Sequence, residues 1–264
     1  MMNADAIHNY WDDRARHDDS VQSTTKDFCL RQIEARVLAR WISLFSPNTI
    51  ADVGCGDGRT TLNLAGRFFS NFDGLDYSDA MIENANGLLA RRDLRNVNFA
   101  HEDICYPLKK TYDLIYTTRC LINIPTWEHQ ANALINICNA LNYGGAYLMI
   151  ENFVEGQEAF NEMRLFYGLP AIPIREHNLF FTKQKLLDYT ESFFTLFHEC
   201  NISSSYYLAS RIIYARLCQD RGREPDYFDA HHKYASMLPF IGEYGPVRLI
   251  IFKKGGQLWG SGRQ

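Results

Sequence analysis

The chain of 264 residues contains no Cys-x-x-Cys pair. Its seven cysteines (Cys29, Cys55, Cys105, Cys120, Cys138, Cys200 and Cys218) are odd in number and scattered. That spacing argues against a disulfide framework and a zinc site, and reads as the reduced thiols of a cytoplasmic protein. The chain also lacks a strong excess of one charge. A formal net charge of −4 provides no basic field for a phosphate backbone, so nucleic acid is a poor partner. No apolar run approaches membrane-spanning length, and Met1-Met2-Asn3-Ala4-Asp5-Ala6 lacks the basic-then-apolar layout of a leader, so no membrane partner is expected. The Gly-x-Gly-x-x-Gly of a dinucleotide fold is missing too. Here the glycines fall at 54, 56 and 58 and Arg59 follows, which excludes a nucleotide-dependent oxidoreductase.

What is present is a glycine run in a setting that makes a ligand site. Ala51-Asp52-Val53-Gly54-Cys55-Gly56-Asp57-Gly58 follows the β-prone Thr49-Ile50 and precedes a helix-forming segment starting at Arg59. A buried strand feeding a glycine turn and then a helix start presents backbone amides to a small cofactor. Asp52, two places ahead of the first glycine, welcomes a cationic ligand and repels a phosphate. Phe72 to Asp76 reads as a second strand ending in a carboxylate, placed to grip two ribose hydroxyls in an open α/β sheet. Asn98 to Ile104 reads as a third strand ending at Asp103, Tyr112 to Thr118 as a fourth and Gly144 to Ile150 as a fifth.

In order and spacing these segments resemble the motifs of class I S-adenosylmethionine (SAM)-dependent methyltransferases, over roughly residues 49–152. The resemblance implies an α/β fold, a doubly wound, seven-stranded, mostly parallel Rossmann-like sheet with a helical cap. It implies SAM as cofactor and S-adenosylhomocysteine (SAH) as product. Gly54, Cys55 and Gly56 would lie under the methionine part, with Asp76 and the adjoining Tyr77 at the ribose. Asp103 would accept the adenine amino group, and Ile104 would add a backbone amide and an apolar flank. Thr118, which closes the fourth strand, joins this set.

The remaining chain divides into an N-terminal lid and helix (1–48), the core (49–152), and the end of the sheet (153–264) with substrate-cap insertions at about 153–181 and 203–243. Tyr10 and Trp11, adjacent aromatics in a charged stretch, look like a lid over a sulfonium cation or an anchor for the N-terminus. After the polar stretch from Ser20, Asp27 is placed to cap an amphipathic helix in which Leu30, Ile33, Val37, Leu38, Trp41 and Ile42 share one face. Arg31 in its first turn opposes the helix dipole, which invites the cofactor carboxylate, or a salt bridge with Asp27 or Glu34. Met81 packs on an adenine face or in the core. Arg119 at the mouth of the site binds the methionine carboxylate or an anionic substrate, or is solvated. Pro125 is placed at the start of a long helix through Leu141.

Strands six and seven, Phe193 to Cys200 and Val247 to Phe252, are separated by an insertion of helices ending near Leu217 and spanning Asp226 to Met237. A connection that long signals a binding or lid function. Tyr10, His177, Tyr206, Tyr207, His231 and His232 are candidate lining for a polar-aromatic acceptor pocket, which suits a small hydroxylated metabolite such as a sugar or saccharide intermediate. An alcohol must lose its proton when methylated, so a base is needed, with His177 first and Glu151 second. No metal constellation is evident. An amino-sugar or other small-metabolite N-methyltransferase and a non-catalytic SAM-binding regulator share the same cofactor motifs. An aminopropyltransferase would need an acidic channel, which the cap lacks. A monomer or homodimer is expected.

Overall fold

In a computed structural model describing residues 3–17 and 25–255, seven segments become strands: β1 (Thr49–Val53), β2 (Asn71–Asp76), β3 (Val97–His101), β4 (Tyr112–Thr118), β5 (Leu141–Asn152), β6 (Phe194–Asn201) and β7 (Val247–Lys254). The polar residues 20–24 lie outside those described. The strands form one sheet of order β3-β2-β1-β4-β5-β7-β6, in which β1 to β5 pair in parallel and β7 runs antiparallel to both β5 and β6. The mostly parallel, doubly wound, seven-stranded sheet expected from the sequence is therefore present.

Alternation along the strands splits the core between two faces. Leu114 and Tyr116 of β4, with Leu148 and Ile150 of β5, meet the apolar stripe of α2 (Phe28–Phe45), from Leu30 to Ile42. Ile115, Tyr147 and Met149 face the other way, where α5 (Trp127–Ala140) contributes Leu134 and Ile137. Strands buried on both faces read as continuous apolar runs, which is why β4 was legible without a polar alternation. The other helices around the core are α1 (Ala4–His17), α3 (Arg59–Ala65), α4 (Asp79–Leu89), α6 (Val154–Phe166) and α7 (Lys183–Thr190). Between β6 and β7 come α8 (Ser204–Tyr207), a π turn (Leu208–Ile213), α9 (Tyr214–Asp220) and α10 (Ala230–Ala235).

Side-chain capping moves several ends away from their expected places. Asp27 caps α2 as expected, accepting the Leu30 N–H at 3.0 Å. The Thr126 hydroxyl, however, accepts the His129 N–H, so α5 starts after Thr126 rather than at Pro125. β3 stops at His101 because Asp103 Oδ1 accepts the Cys105 N–H at 2.8 Å and turns the chain. Asp229 caps α10, shortening the helix expected from Asp226. Among the described residues no helix is long and apolar enough to cross a membrane.

Gly58 has φ +71°, and a Cβ there would lie 2.5 Å from the Phe99 ring and 2.8 Å from the Ala85 methyl. Gly58→Ala should therefore lose about 1–2 kcal/mol to left-handed backbone strain and about 1–3 kcal/mol to overpacking. Urea denaturation would show this as a lowered midpoint with an unchanged slope.

Candidate functional site

Parallel strands that start on one side finish on the other, so β1, β2 and β4 deliver their C-terminal residues to one edge of the sheet. The glycine turn is strapped to β2, because the Gly54 and Cys55 N–H groups both donate to the Leu75 carbonyl, at 2.8 and 3.0 Å. Gly54 has φ +73°, and a Cβ on it would sit 2.3 Å from Cys120 Sγ, so only glycine lets the turn approach the segment after β4 this closely. Asp76 then joins turn to helix. Its Oδ2 accepts the Gly56 N–H at 2.8 Å and its Oδ1 the Ser78 N–H at 3.0 Å, although burial still pushes the carboxyl up. A carboxylate has about four lone-pair directions, so roughly half of its accepting capacity remains for a ligand.

A cavity of about 560 Å³ opens above this edge, and most of the expected cofactor residues line it: Gly54, Cys55, Gly56, Asp76, Tyr77 and Thr118 at its floor, with Met81 beside them. Met81 is also core, packed with Ala15, Ala80 and Trp11. Asp52 reaches the lining, but Thr61 Oγ1 donates to its Oδ2 at 2.5 Å and burial pushes its carboxyl up to about 7, so it ties β1 to α3. Asp103 and Ile104 are not among the lining residues. Asp103 is engaged in its own turn, and Ile104 is buried in the core beneath the sheet edge.

The N-terminal helix covers the opening. Ser78 Oγ donates to Asp12, and Asn84 Nδ2 donates to the Ala15 carbonyl at 2.8 Å, which lays α1 on α4 and puts Tyr10 and Trp11 in the lining. His177 stacks on Tyr10 with ring centroids 4.7 Å apart and meets the edge of Trp11 at 6.2 Å. Burial first, then the nearby Arg175 and Arg14 charges, push its imidazole below its ordinary value. Both effects favour the neutral imidazole.

Arg31 lines the cavity from the first turn of α2. Burial lowers its pKa, while Asp57, the strongest charge opposing that, draws it back up. Arg119 lines the cavity as well but is not simply solvated. Its Nε lies 2.8 Å from Glu34 Oε1 and a terminal nitrogen donates to Oε2 at 3.2 Å, on a backbone held at φ +51°. Burial works against the Arg119 charge, and the Glu34 carboxylate more than restores it.

Three expectations need correction. Glu151 is not placed as a base: its carboxylate accepts the N–H groups of Cys120 and Leu121 at 3.0 Å and of Ile122 at 3.3 Å, pinning the 3₁₀ turn Leu121–Asn123. Tyr206 and His232 are buried away from the lining, the phenol donating to Asp27 Oδ1 at 2.6 Å and lying 3.0 Å from His232 Nδ1. His231 stacks on Tyr214 outside the cavity. Tyr207 does line it, together with residues that local patterns did not flag: Asn123, Asn152, Gln157, Arg211 and Tyr227. Arg211 pairs with Asp27 and lies over the Tyr207 and Tyr227 rings, at 4.6 and 5.0 Å. A helix cap uses one carboxylate oxygen, so the second oxygen of Asp27 was the available signal.

The fold is that of SAM-dependent class I methyltransferases, and residues 50–145 match a family model for a methyltransferase domain. The residues present fit such a cofactor: a glycine hollow that a Cβ would fill at Gly54, and beside it a buried carboxylate with accepting capacity to spare. Among particular proteins, the chain is similar to EEF1A lysine methyltransferase 2 of Danio rerio, 40% identical over 58 residues, covering 22% of this chain and 25% of that one. The Mus musculus protein of the same name is 26% identical over 136 residues, 44% of this chain and 54% of that one. The chain thus spans about half or less of the length of the curated relatives it matches. Magnesium protoporphyrin IX methyltransferase (ChlM) from Synechocystis PCC 6803, solved with bound SAH, shares the fold with a TM-score of 0.62 at 13% identity, covering 96% of this chain and 100% of that one.

Removing one partner of the Glu34–Arg119 pair leaves the other charge poorly compensated. Glu34 is 1% exposed and Arg119 is 24% exposed, so Arg119 recovers some hydration. Glu34→Ala should therefore cost about 3 kcal/mol, the low end for a broken buried pair, read from chemical denaturation. Glu34→Leu combined with Arg119→Met should cost less than Glu34→Ala alone.

Proposed function

We propose that this chain is a SAM-dependent methyltransferase acting on a hydroxyl of a small polar molecule, a sugar or saccharide intermediate, in the cytoplasm. The observation that carries the reading is one cavity with two chemically different ends. The Gly54–Gly56 hollow and the Asp76 carboxylate form one end, and His177 framed by aromatic rings forms the other. Seven free cysteines support a reducing compartment.

Bound there, SAM supplies a methyl group on a sulfonium, an electrophile whose leaving group is a neutral thioether and needs no acid. The protein's tasks are to align the nucleophile and exclude water. Asp76 would accept from the ribose hydroxyls with the lone pairs that Gly56 and Ser78 leave open. Arg31, in the lining, would meet the carboxylate of the methionine part. Tyr10 and Trp11 on α1 close the opening and offer π faces to a cation. His177 would take the proton that an acceptor hydroxyl loses on methylation.

A second reading, transfer to an amine, draws on the lysine methyltransferases that the core resembles. A neutral amine needs no base, so the two readings differ at His177. For a hydroxyl acceptor, His177→Gln should lower turnover about 10²-fold or more and leave SAH binding unchanged; equal turnover would point to the amine. Because the folded imidazole titrates below its ordinary value, turnover should be flat from neutral pH upward and fall in acid as His177 is protonated. The Gln variant should lose that acid limb.

SAH at about 100 times its dissociation constant should stabilise the chain by about 2.7 kcal/mol. Asp76→Ala should remove most of this in a thermal-shift titration, and an unchanged shift would remove the ribose assignment.

A further inference from the structure

We propose that Asn123, Asn152 and Gln157 form the acceptor subsite, and that their carboxamide oxygens take hydrogen bonds from the hydroxyl groups of an uncharged, polyhydroxylated acceptor. This deepens the methyltransferase reading and rests on it.

All three amides line the cavity, and each has hydrogen-bonding capacity that the protein leaves unused. Asn152 closes β5, is 9% exposed and makes no side-chain hydrogen bond among the described residues; its Oδ1 is buried without a partner. Asn123, in the 3₁₀ turn after β4, donates from Nδ2 to the Arg119 carbonyl at 2.8 Å and the Cys120 carbonyl at 3.3 Å. Its Oδ1 is likewise buried and unpartnered. Gln157, early in α6 and 7% exposed, donates from Nε2 to the Ile172 carbonyl at 2.7 Å, so Oε1 is the end left open. Carbonyls only accept, so these contacts also fix which end of the Asn123 and Gln157 amides is oxygen. Neither end of the Asn152 amide is held, and the terminal torsion of an amide is soft, so its oxygen can turn to the cavity.

Backbone links gather these residues around His177. Glu151, next to Asn152, accepts the N–H groups of Cys120, Leu121 and Ile122, which sets the turn carrying Asn123 against the end of β5. The segment after His177 is stitched to both. The Leu179 N–H donates to the Ile122 carbonyl at 2.7 Å, and Gln130 Nε2 bridges the Leu121 and Leu179 carbonyls at 3.0 and 2.9 Å. The Phe181 N–H donates to the Asn152 carbonyl at 3.0 Å, and the Val154 N–H to the Phe181 carbonyl at 2.9 Å. An acceptor that reaches His177 therefore meets the amides. Most buried polar groups find partners, and an acceptor left bare weakens the folded state. A ligand that brings donors resolves that shortage. A site built around such oxygens also rejects an analogue that lacks the hydroxyl.

Titration of the SAH-saturated protein tests this, with glucose and myo-inositol as probes and tetrahydropyran as a ring without a donor. At least one polyol should bind about tenfold or more tightly than tetrahydropyran. Asn152→Leu should lose about tenfold of that affinity while SAH binds as before. Its thermal midpoint without ligand should hold or rise, because the lost amide bonded nothing. Asn152→Ala, which needs less room, should weaken the polyol in the same way where leucine does not fit. Equal or absent binding of all three probes, or unchanged polyol affinity in the Asn152 variants, with SAH still binding, would overturn the subsite and leave the methyltransferase reading intact. Loss of both SAH binding and thermal midpoint in both variants would mark Asn152 as structural and overturn the subsite too. Loss of SAH binding by the unaltered chain would instead overturn the reading beneath it.

Discussion

The short contact between the Gly56 N–H and the Asp76 carboxylate, 2.8 Å long, is the constraint on which the site depends. It closes the turn after β1 onto the end of β2, and the same carboxylate holds the start of α4 through Ser78. α4 in turn carries α1, through Ser78 with Asp12 and Asn84 with Ala15. One buried acid thereby links the hollow, the crossover helix and the covering helix. Burial drives Asp76 toward the neutral form and the backbone donors oppose that, a balance that a carboxylate near ligand hydroxyls can use.

The other side of the cavity is organised by a different rule. Asp27, cap of α2, is reached by Tyr206 and by Arg211, which brings the inserted α8 and π turn onto the start of α2. Arg119 with Glu34 does the same for the segment after β4. These pairs fill the wall of the cavity with charges already matched.

That division explains what was legible in the sequence. The strands and the glycine turn follow from features a few residues apart, such as a strand run, a glycine or a terminal carboxylate, so the residues at the strand C-terminal ends could be read with little more than spacing. Asp103 shows the limit, since an acid at a strand end can instead bond its own backbone two residues on. Glu34 with Arg119 spans 85 positions and Asp27 with Arg211 spans 184, and no local pattern signals either. Glu151 was misread for a related reason. A carboxylate at the end of β5 has the right chemistry for a base, but three backbone N–H groups after β4 already consume its oxygens.

The two ends also differ in how they tolerate change. Gly54 and Gly58 sit against Cys120 and Phe99, so the hollow cannot accept a side chain without moving neighbours in the sheet's core. The rest of the cavity wall hangs on the 153–182 and 202–246 connections, where Arg175 is exposed and Tyr227 is held to Arg211 by a hydrogen bond of 3.0 Å. Substitutions there alter charge and shape without entering the strands. A fold of this kind can therefore keep its cofactor chemistry fixed while its acceptor changes, because the groups that recognise the acceptor are carried by connections that the strand pairing does not constrain.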